Sequence, residues 1–158
     1  MNNYEPKLIH IEGLTVAGVS VRTINRDEFD PKTAKLGIFW QNFRTENIPA
    51  RVSSAVPYSP VYGVYSNYDS NESGYYTLTA GIEIHSSSES ELGFTKIEIP
   101  AGQYLVFSDK GAMPEVIVKV WQRIWNYFSN ENPYKRCFDV DFELYSNAEG
   151  VAIYIGVT

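Results

Sequence analysis

Apolar and polar residues alternate strictly over residues 138–145, which predicts a β-strand with two different faces. One predicted face carries Phe138, Val140, Phe142 and Leu144, and the other carries Asp139, Asp141, Glu143 and Tyr145. Three carboxylates beside a tyrosine favour recognition of a cation, although a solvated surface strand has the same pattern. The rest of the chain has to distinguish these two interpretations.

Seven further apolar segments predict strands over residues 7–12, 15–23, 61–68, 75–85, 94–99, 103–108 and 151–157. Polar residues over 66–74 predict the connection of a hairpin. The stretch 85–92 is rich in Ser and Glu and predicts a linker.

Two segments have helical periodicity. The first predicted helix starts at Asp30 and Pro31, which fit an N-cap followed by proline at the first helical position. It ends near Asn47. Its apolar stripe consists of Leu36, Phe39, Trp40 and Phe43. The second predicted helix covers residues 114–129, with a stripe of Ile117, Val120, Trp121, Ile124 and Phe128.

The order strand, strand, helix, strand, strand occurs twice along the chain, which indicates an internal repeat. We therefore predict one α+β domain over residues 1–158, with an antiparallel sheet and two main helices. Its strand–helix–strand–strand halves, about 1–86 and 93–158, are expected to be related by pseudo-two-fold symmetry. A cleft between such halves is a natural ligand site.

Composition narrows the class of partner. The net charge of −6 over 158 residues, without a basic run, disfavours direct nucleic-acid binding. The sequence has neither a signal peptide pattern nor an apolar run long enough to cross a membrane, so we expect a soluble, cytoplasmic protein that binds no membrane. The lone Cys137 is expected to be a buried strand residue.

The chain resembles the GyrI-like domains, also called AraC-type or BmrR-type effector-binding domains. The residues that carry this resemblance are the segments 99–111, 116–128, 137–145 and 151–157, together with 15–18 and the helix around Trp40 in the first half. The resemblance implies a duplicated fold, related to transcription regulators, that binds hydrophobic and often cationic small molecules in a groove between its halves. It also implies that Glu143 contacts the ligand, and that this chain is a stand-alone member.

The candidate ligand-binding residues share aromatic or acidic character and are Glu143, Tyr145, Tyr65, Trp40, Trp121, Tyr104 and Tyr154. Aromatic rings around a carboxylate suit a lipophilic cation, because ring faces attract positive charge. Asp139 and Asp141 are expected to be surface charges or salt-bridged. Adjacent same-face residues on a strand lie about 6–7 Å apart, too far to share one ion easily, so we expect no metal and no cofactor.

Two other functions remain open. Some relatives implied by the resemblance are hydrolases of electrophilic small molecules, and Glu143 is the candidate general base for such a reaction. Otherwise the sequence lacks enzyme signatures, which favours a binding protein over an enzyme. The third function is a protein-interaction module such as a topoisomerase modulator, and an exposed edge strand leaves a homodimer open.

Overall fold

The computed structural model describes residues 5–85, 93–147 and 150–158. Within these residues eight strands form one antiparallel sheet, namely β1 (Lys7–Ile11), β2 (Leu14–Ile24), β3 (Val61–Ser66), β4 (Tyr75–Ile84), β5 (Thr95–Ile99), β6 (Gly102–Lys110), β7 (Arg136–Asn147) and β8 (Gly150–Val157). The helices are α1 (Asn25–Glu28), α2 (Leu36–Thr45), α3 (Ile48–Arg51) and α4 (Glu115–Ser129). The predicted α+β class with an antiparallel sheet is confirmed.

The strands lie side by side in the order β1-β6-β8-β7-β3-β4-β2-β5. If β1, β2, β3 and β4 exchange labels with β5, β6, β7 and β8, the same order is obtained from the opposite edge of the sheet. A duplicated arrangement of four strands would have this symmetry. The pseudo-two-fold axis itself stays a prediction. Strands β3 and β7, one from each half, pair at the centre of the sheet, and most of the predicted linker, residues 86–92, lies outside the described residues.

Both main helices cover the same face of the sheet. Helix α4 buries Val116, Val120 and Ile124 against residues of β6 and β8. Helix α2 buries Phe43, which packs with Ala80 of β4. Each helix therefore lies over its own half of the sheet, and the two central strands are left as the floor between them. No helix among the described residues is long and apolar enough to span a membrane.

On the other face of the sheet, side chains from strands near opposite edges pack against one another. Val16 of β2 and Ile99 of β5 belong to the same buried cluster as Tyr104 of β6, although these strands lie towards opposite edges of the sheet. The sheet must therefore curve strongly, so that its outer strands approach each other. The Tyr104 hydroxyl supports this closure by donating a hydrogen bond of 2.8 Å to the carbonyl of Pro100.

The first predicted helix corresponds to α2, which begins later than the sequence pattern indicated. The Asp30 side chain accepts the backbone N–H of Lys32 within a turn, so it does not cap a helix. Helix α2 begins at Leu36, and the carboxylate of Glu28 accepts the backbone N–H groups of Lys35 and Leu36 there. A residue distant from the helix start in sequence thus satisfies its free donors, which the local pattern did not indicate.

Strand β7 departs from ideal alternation near its start. Its register with β8 shifts between Arg136 and Asp141, and Phe138 has a φ of 52°. As a result Phe138 contacts Tyr68, with ring centroids 5.7 Å apart, and does not share a face with Phe142 as predicted. The prediction that Cys137 is buried is also wrong, because this irregular start leaves the cysteine exposed.

Candidate functional site

A cavity of about 790 Å³ lies between α2 and α4, above the central strands β3 and β7. This volume is within the range of about 300–1,000 Å³ that is usual for small-molecule sites. Five of the predicted ligand-binding residues line it, namely Trp40, Tyr65, Trp121, Glu143 and Tyr145. Each half of the chain supplies part of the wall, as expected for a cleft between halves.

The carboxylate of Glu143 lies on the floor of the cavity and is only 2% exposed. Its Oε2 accepts hydrogen bonds from the Tyr65 hydroxyl at 2.5 Å and from the Trp121 indole N–H at 2.8 Å. Its Oε1 accepts a hydrogen bond from the Tyr145 hydroxyl at 2.7 Å. An ionised carboxylate has about four acceptor positions, so these three hydrogen bonds leave about one of them unused.

All three donors to Glu143 are uncharged, and within the described part of the chain no cationic side chain forms a salt bridge with it. Burial raises the pKa of Glu143 above its ordinary value of 4.5, and the three hydrogen bonds oppose this shift. The same burial, together with the adjacent carboxylate, raises the pKa of Tyr65 and of Tyr145 well above 10.0, which keeps both hydroxyls protonated as donors. The site therefore holds a buried carboxyl group that lacks a positive partner.

Aromatic rings surround this carboxyl group. The Trp40 and Tyr145 rings meet edge to face with centroids 5.5 Å apart, and Tyr65 and Trp121 meet in the same way at 5.3 Å. The strands fix the two tyrosines, since Tyr145 and Tyr65 lie on the helix-covered face of the central pair. Helices α2 and α4 each add one tryptophan from the side. Such ring faces attract a cation by about 0.5–2 kcal/mol each.

Gly63 of β3 pairs with Glu143 of β7 and makes room for the carboxylate. A Cβ atom at this position would lie 2.9 Å from Oε1 of Glu143 and 3.1 Å from Cζ2 of Trp40. Gly63 was not among the predicted site residues. A glycine inside a strand pattern is a known signal of close approach, and that signal marked this position in the sequence.

Tyr104 and Tyr154 do not line the cavity, although both were candidate wall residues. They pack with Phe142 on the opposite face of the sheet, where the Phe142 and Tyr154 rings stack with centroids 4.4 Å apart. Phe142 and Glu143 are successive residues on β7, so they point to opposite faces. The two tyrosines belong to the core that closes the curved sheet.

Asp141 is fully buried, so the expectation that it is a surface charge is wrong, while the salt-bridged alternative is confirmed. Its carboxylate accepts hydrogen bonds from Arg136 at 2.8 Å, from the Tyr68 hydroxyl at 2.5 Å and from the backbone N–H of Gly156 at 2.9 Å. Asp139 is exposed, as expected. Two carboxylates on one strand face thus differ, because Asp141 has a cationic partner and Glu143 has none among the described residues.

Other residues of the cavity were not predicted as site residues. Trp125 lies one helical turn after Trp121 and extends the aromatic wall, with ring centroids 6.0 Å apart. Phe29, which is 75% exposed, meets Trp125 across the cavity mouth at 6.3 Å. The position of Trp125 beside the helical stripe signalled its role, whereas no local pattern links Phe29 to a helix so distant in sequence.

Known proteins share this fold and this length of chain. A solved integron cassette protein, VCH_CASS2 from the mobile metagenome of Vibrio cholerae, is 34% identical, covers 98% of this chain and 96% of its own, and has a TM-score of 0.83. The structure of SAV2435 bound to tetraphenylphosphonium covers 98% of this chain and 94% of its own, with a TM-score of 0.75. At 18% identity it shows the fold alone.

Sequence comparison agrees with the structural one. YobU of Bacillus subtilis, whose name describes a candidate transcriptional regulator, is 26% identical over 145 residues, which are 91% of this chain and 88% of YobU. A family model described as "Cass2: Integron-associated effector binding protein" matches residues 7–157. The predicted resemblance to effector-binding domains is confirmed, and the function class is that of a small-molecule-binding effector domain. The chain therefore belongs to the Cass2 family of integron-associated effector-binding proteins.

Proposed function

We propose that this chain binds hydrophobic small-molecule cations in the cavity between α2 and α4, with Glu143 as the counter-charge. The observation that carries the proposal is the Glu143 carboxyl group, which is 2% exposed, is held by three uncharged donors and has no cationic partner among the described residues. A buried carboxylate without a cation is unfavourable, and a ligand cation removes that penalty.

The cavity walls favour a lipophilic cation over a small hydrated one. Trp40, Trp121 and Trp125 contribute broad aromatic faces, and Ile117 and Met113 add aliphatic surface. A small hydrated ammonium ion would leave most of this apolar surface uncovered. A quaternary ammonium or phosphonium ion with apolar substituents has no donors to satisfy, so charge and ring contact suffice for binding.

The charge requirement is tested with two ligands of the same shape and opposite charge. Titration of tryptophan fluorescence with tetraphenylphosphonium is expected to show saturable binding, and tetraphenylborate is expected not to bind. Tetraphenylphosphonium is a natural first probe, because the similarly folded protein SAV2435 was solved with this cation bound. Equal binding of both ions would mean that apolar surface alone governs the site.

The role of Glu143 is tested in the same titration. Glu143→Gln keeps the size of the side chain and removes its charge, so the phosphonium affinity is expected to fall at least about tenfold, or 1.4 kcal/mol. Glu131→Gln is the matched control, because Glu131 is exposed and does not line the cavity. An unchanged affinity in Glu143→Gln would refute the counter-charge part of the proposal.

A hydrolase of electrophilic small molecules is the second candidate function. Two observations favour it: burial raises the pKa of Glu143, which makes the carboxylate a stronger base, and its three hydrogen bonds leave about one acceptor position unused. Turnover of a strained-ring electrophile by the wild-type protein, lost in Glu143→Gln, would establish it. Stoichiometric binding of that electrophile without product would instead favour a sensor, sequestering or drug-tolerance role.

A further inference from the structure

We propose that the cavity binds lipophilic dications, with one positive group against Glu143 and the other at a second acidic corner formed by Glu28 and Glu72. This inference rests on the proposed function, because it gives a second charge to the cation that the same cavity binds. It narrows the ligand class to elongated ions with a quaternary group at each end. We call the corner of Glu28, Glu72 and the neighbouring Phe29 the mouth corner.

The charges of the cavity wall leave a place for two positive groups. The charged residues that line the cavity are Glu28, Glu72, Glu143, Arg44 and Arg136. Arg136 is neutralised by its ion pair of 2.8 Å with Asp141. Three carboxylates and the remaining guanidinium of Arg44 give the wall a net charge of −2 when all are ionised. One ligand cation would therefore neutralise only half of the wall charge.

Glu28 is a half-buried carboxylate that, like Glu143, is held by uncharged donors. Its Oε2 accepts hydrogen bonds from the Thr23 hydroxyl at 2.6 Å and from the backbone N–H of Lys35 at 3.0 Å. Its Oε1 accepts the backbone N–H of Leu36 at 3.1 Å. The N-terminus of α2 thus supplies only a partial positive charge to this carboxylate, which leaves it available to a full one.

The neighbouring cations have other partners. Arg22 pairs with Asp69 at 2.6 Å, and the Lys35 ammonium donates a hydrogen bond of 3.2 Å to the backbone carbonyl of Arg22. Over residues 5–85, 93–147 and 150–158, neither Glu28 nor Glu72 forms a salt bridge. The mouth corner therefore has negative charge without a resident counter-ion in the described part of the chain.

Aromatic rings accompany this charge as they do at Glu143. Phe29, which is 75% exposed, follows Glu28 directly and meets the Trp125 ring at 6.3 Å between centroids. Burial and then the charges of Glu28 and Glu143 raise the pKa of the Tyr76 hydroxyl, so both carboxylates act on one residue of the wall. A quaternary group at the mouth corner would contact ring faces on one side and keep its water on the other, which limits the cost of desolvation.

The order of charges along α2 fixes the direction of the ligand. Glu28 binds Leu36, the first residue of the helix, whereas Glu143 lies beside the ring of Trp40, about 6 Å further along the helix axis. Arg44 comes another helical turn after Trp40, at the end of α2 remote from Glu28. Repulsion by Arg44 disfavours a second positive group at that end, so this group is directed to the mouth corner.

The test uses pairs of ions that have the same shape and differ by one charge. A bis(trimethylammonium)alkane carries two quaternary groups, and its partner has a tert-butyl group in place of one of them. Isothermal titration calorimetry over spacers of increasing length is expected to show, for at least one spacer, about tenfold tighter binding of the dication to the wild-type protein.

The possible results separate this inference from the proposed function. Equal or weaker binding of the dication at every spacer length would overturn the inference, and saturable binding of tetraphenylphosphonium would then leave the proposed function intact. No binding of the dication, of its partner or of tetraphenylphosphonium would overturn both.

A double variant, Glu28→Gln with Glu72→Gln, tests the mouth corner. The amide oxygen of glutamine still accepts a backbone N–H at the start of α2, so the substitution removes charge and keeps an acceptor. The preference for the dication is expected to disappear. Glu143→Gln should instead weaken both ions and keep the preference, and Glu131→Gln, outside the cavity, should change neither affinity. A preference that survives in the double variant would overturn the assignment.

A second measurement does not depend on whether the double variant folds. In wild-type protein with ¹³C-labelled glutamate, the side-chain carboxyl signals are followed by NMR during titration with each ion. The Glu28 signal is expected to shift with the dication and to stay in place with the tert-butyl partner, whereas the Glu143 signal is expected to shift with both. Identical Glu28 spectra with the two ions would refute the second contact.

Discussion

The Trp121 indole N–H donates a hydrogen bond of 2.8 Å to Oε2 of Glu143, and this contact joins helix α4 to the central strand β7. Trp121 is also part of the aromatic wall, with its ring 5.3 Å from that of Tyr65. One residue therefore shapes the cavity and helps to keep its carboxyl group ionised, because a hydrogen bond to a carboxylate favours the ionised form. The affinity for cations and the pKa of Glu143 should change together.

The affinity for tetraphenylphosphonium is expected to fall as the pH drops through the pKa of Glu143. Burial raises the pKa of Glu143 above 4.5, so the carboxyl group gains its proton at a higher pH than an ordinary glutamate. Once the pH falls below that raised pKa, affinity is expected to fall by about tenfold per pH unit, since the neutral acid offers no counter-charge. Fluorescence titrations over a pH series measure this, and Glu143→Gln is expected to give a flat profile.

Trp121→Phe is expected to move this pH profile upwards. The substitution keeps an aromatic ring but removes one of the hydrogen bonds that lower the pKa of Glu143. The pKa of Glu143 should therefore rise further, and the pH at which the affinity begins to fall should rise with it. Trp125→Phe is the control, because Trp125 lines the cavity and has no hydrogen bond to Glu143 among those described. The same midpoint in both variants would contradict the role of the indole.

Glu143→Gln is expected to raise the stability of the unliganded protein at neutral pH. The folded-state pKa of Glu143 is raised, so this group's contribution to stability is complete below the unfolded pKa near 4.5 and is lost as the pH rises through the folded pKa. Glutamine carries no charge to lose. Urea denaturation at pH 7 should therefore give a higher free energy of unfolding than wild type.

The pH dependence of that difference separates charge from packing. Towards pH 4 the wild-type carboxyl group is protonated in the folded state, so the two free energies of unfolding should converge. A difference that stays constant from pH 4 to pH 7 would mean that the substitution acts through packing. Glu131→Gln, at an exposed position, should differ from wild type at neither pH.

The main helices and strands, and the position of Glu143 on the central strand, could be predicted because local sequence patterns determine them. Alternation over β7 and the stripe of α4 are local patterns, and they placed Glu143 and Trp121 on the faces that meet in the structure. Alternation does not say which of several acidic positions has a cationic partner. Arg136 reaches Asp141 through an irregular strand start, and only the three-dimensional contact distinguishes Asp141 from Glu143.

The wrong assignments follow from the curvature of the sheet. Tyr104 has the same local character as Tyr145, an aromatic residue within an alternating strand. The strand register decides on which side of the sheet each ring lies. On the side away from the helices, the side chains pack against one another in a core, so Tyr104 does not reach the cavity. Register and curvature are set by long-range pairing, which a single strand's pattern does not contain.

Gly63→Ala is expected to disturb the site directly. Its Cβ would lie 2.9 Å from Oε1 of Glu143 and 3.1 Å from the Trp40 ring, so one of them must move. We expect a loss of about 1–3 kcal/mol of stability from overpacking and a weaker affinity for tetraphenylphosphonium. Gly37→Ala in α2 is the control for stability, since no atom lies within 4 Å of its added Cβ and alanine favours the helix. Equal stability of the two variants would contradict the close approach at Gly63.

Asp141→Asn is expected to have the opposite effect on stability from Glu143→Gln, although the two residues share one face of β7. Removing the Asp141 charge leaves the guanidinium of Arg136 buried at 6% exposure without its partner, and such a loss typically costs about 3–5 kcal/mol. Asp139→Asn changes the same chemical group at an exposed position and should stay within about 0.5 kcal/mol of wild type. The three variants, measured by urea denaturation at pH 7, should therefore rank with Glu143→Gln most stable, Asp139→Asn near wild type and Asp141→Asn least stable. A destabilised Glu143→Gln would mean that the carboxylate at the cavity floor is a structural charge like Asp141, and the reason for assigning it to a ligand cation would disappear.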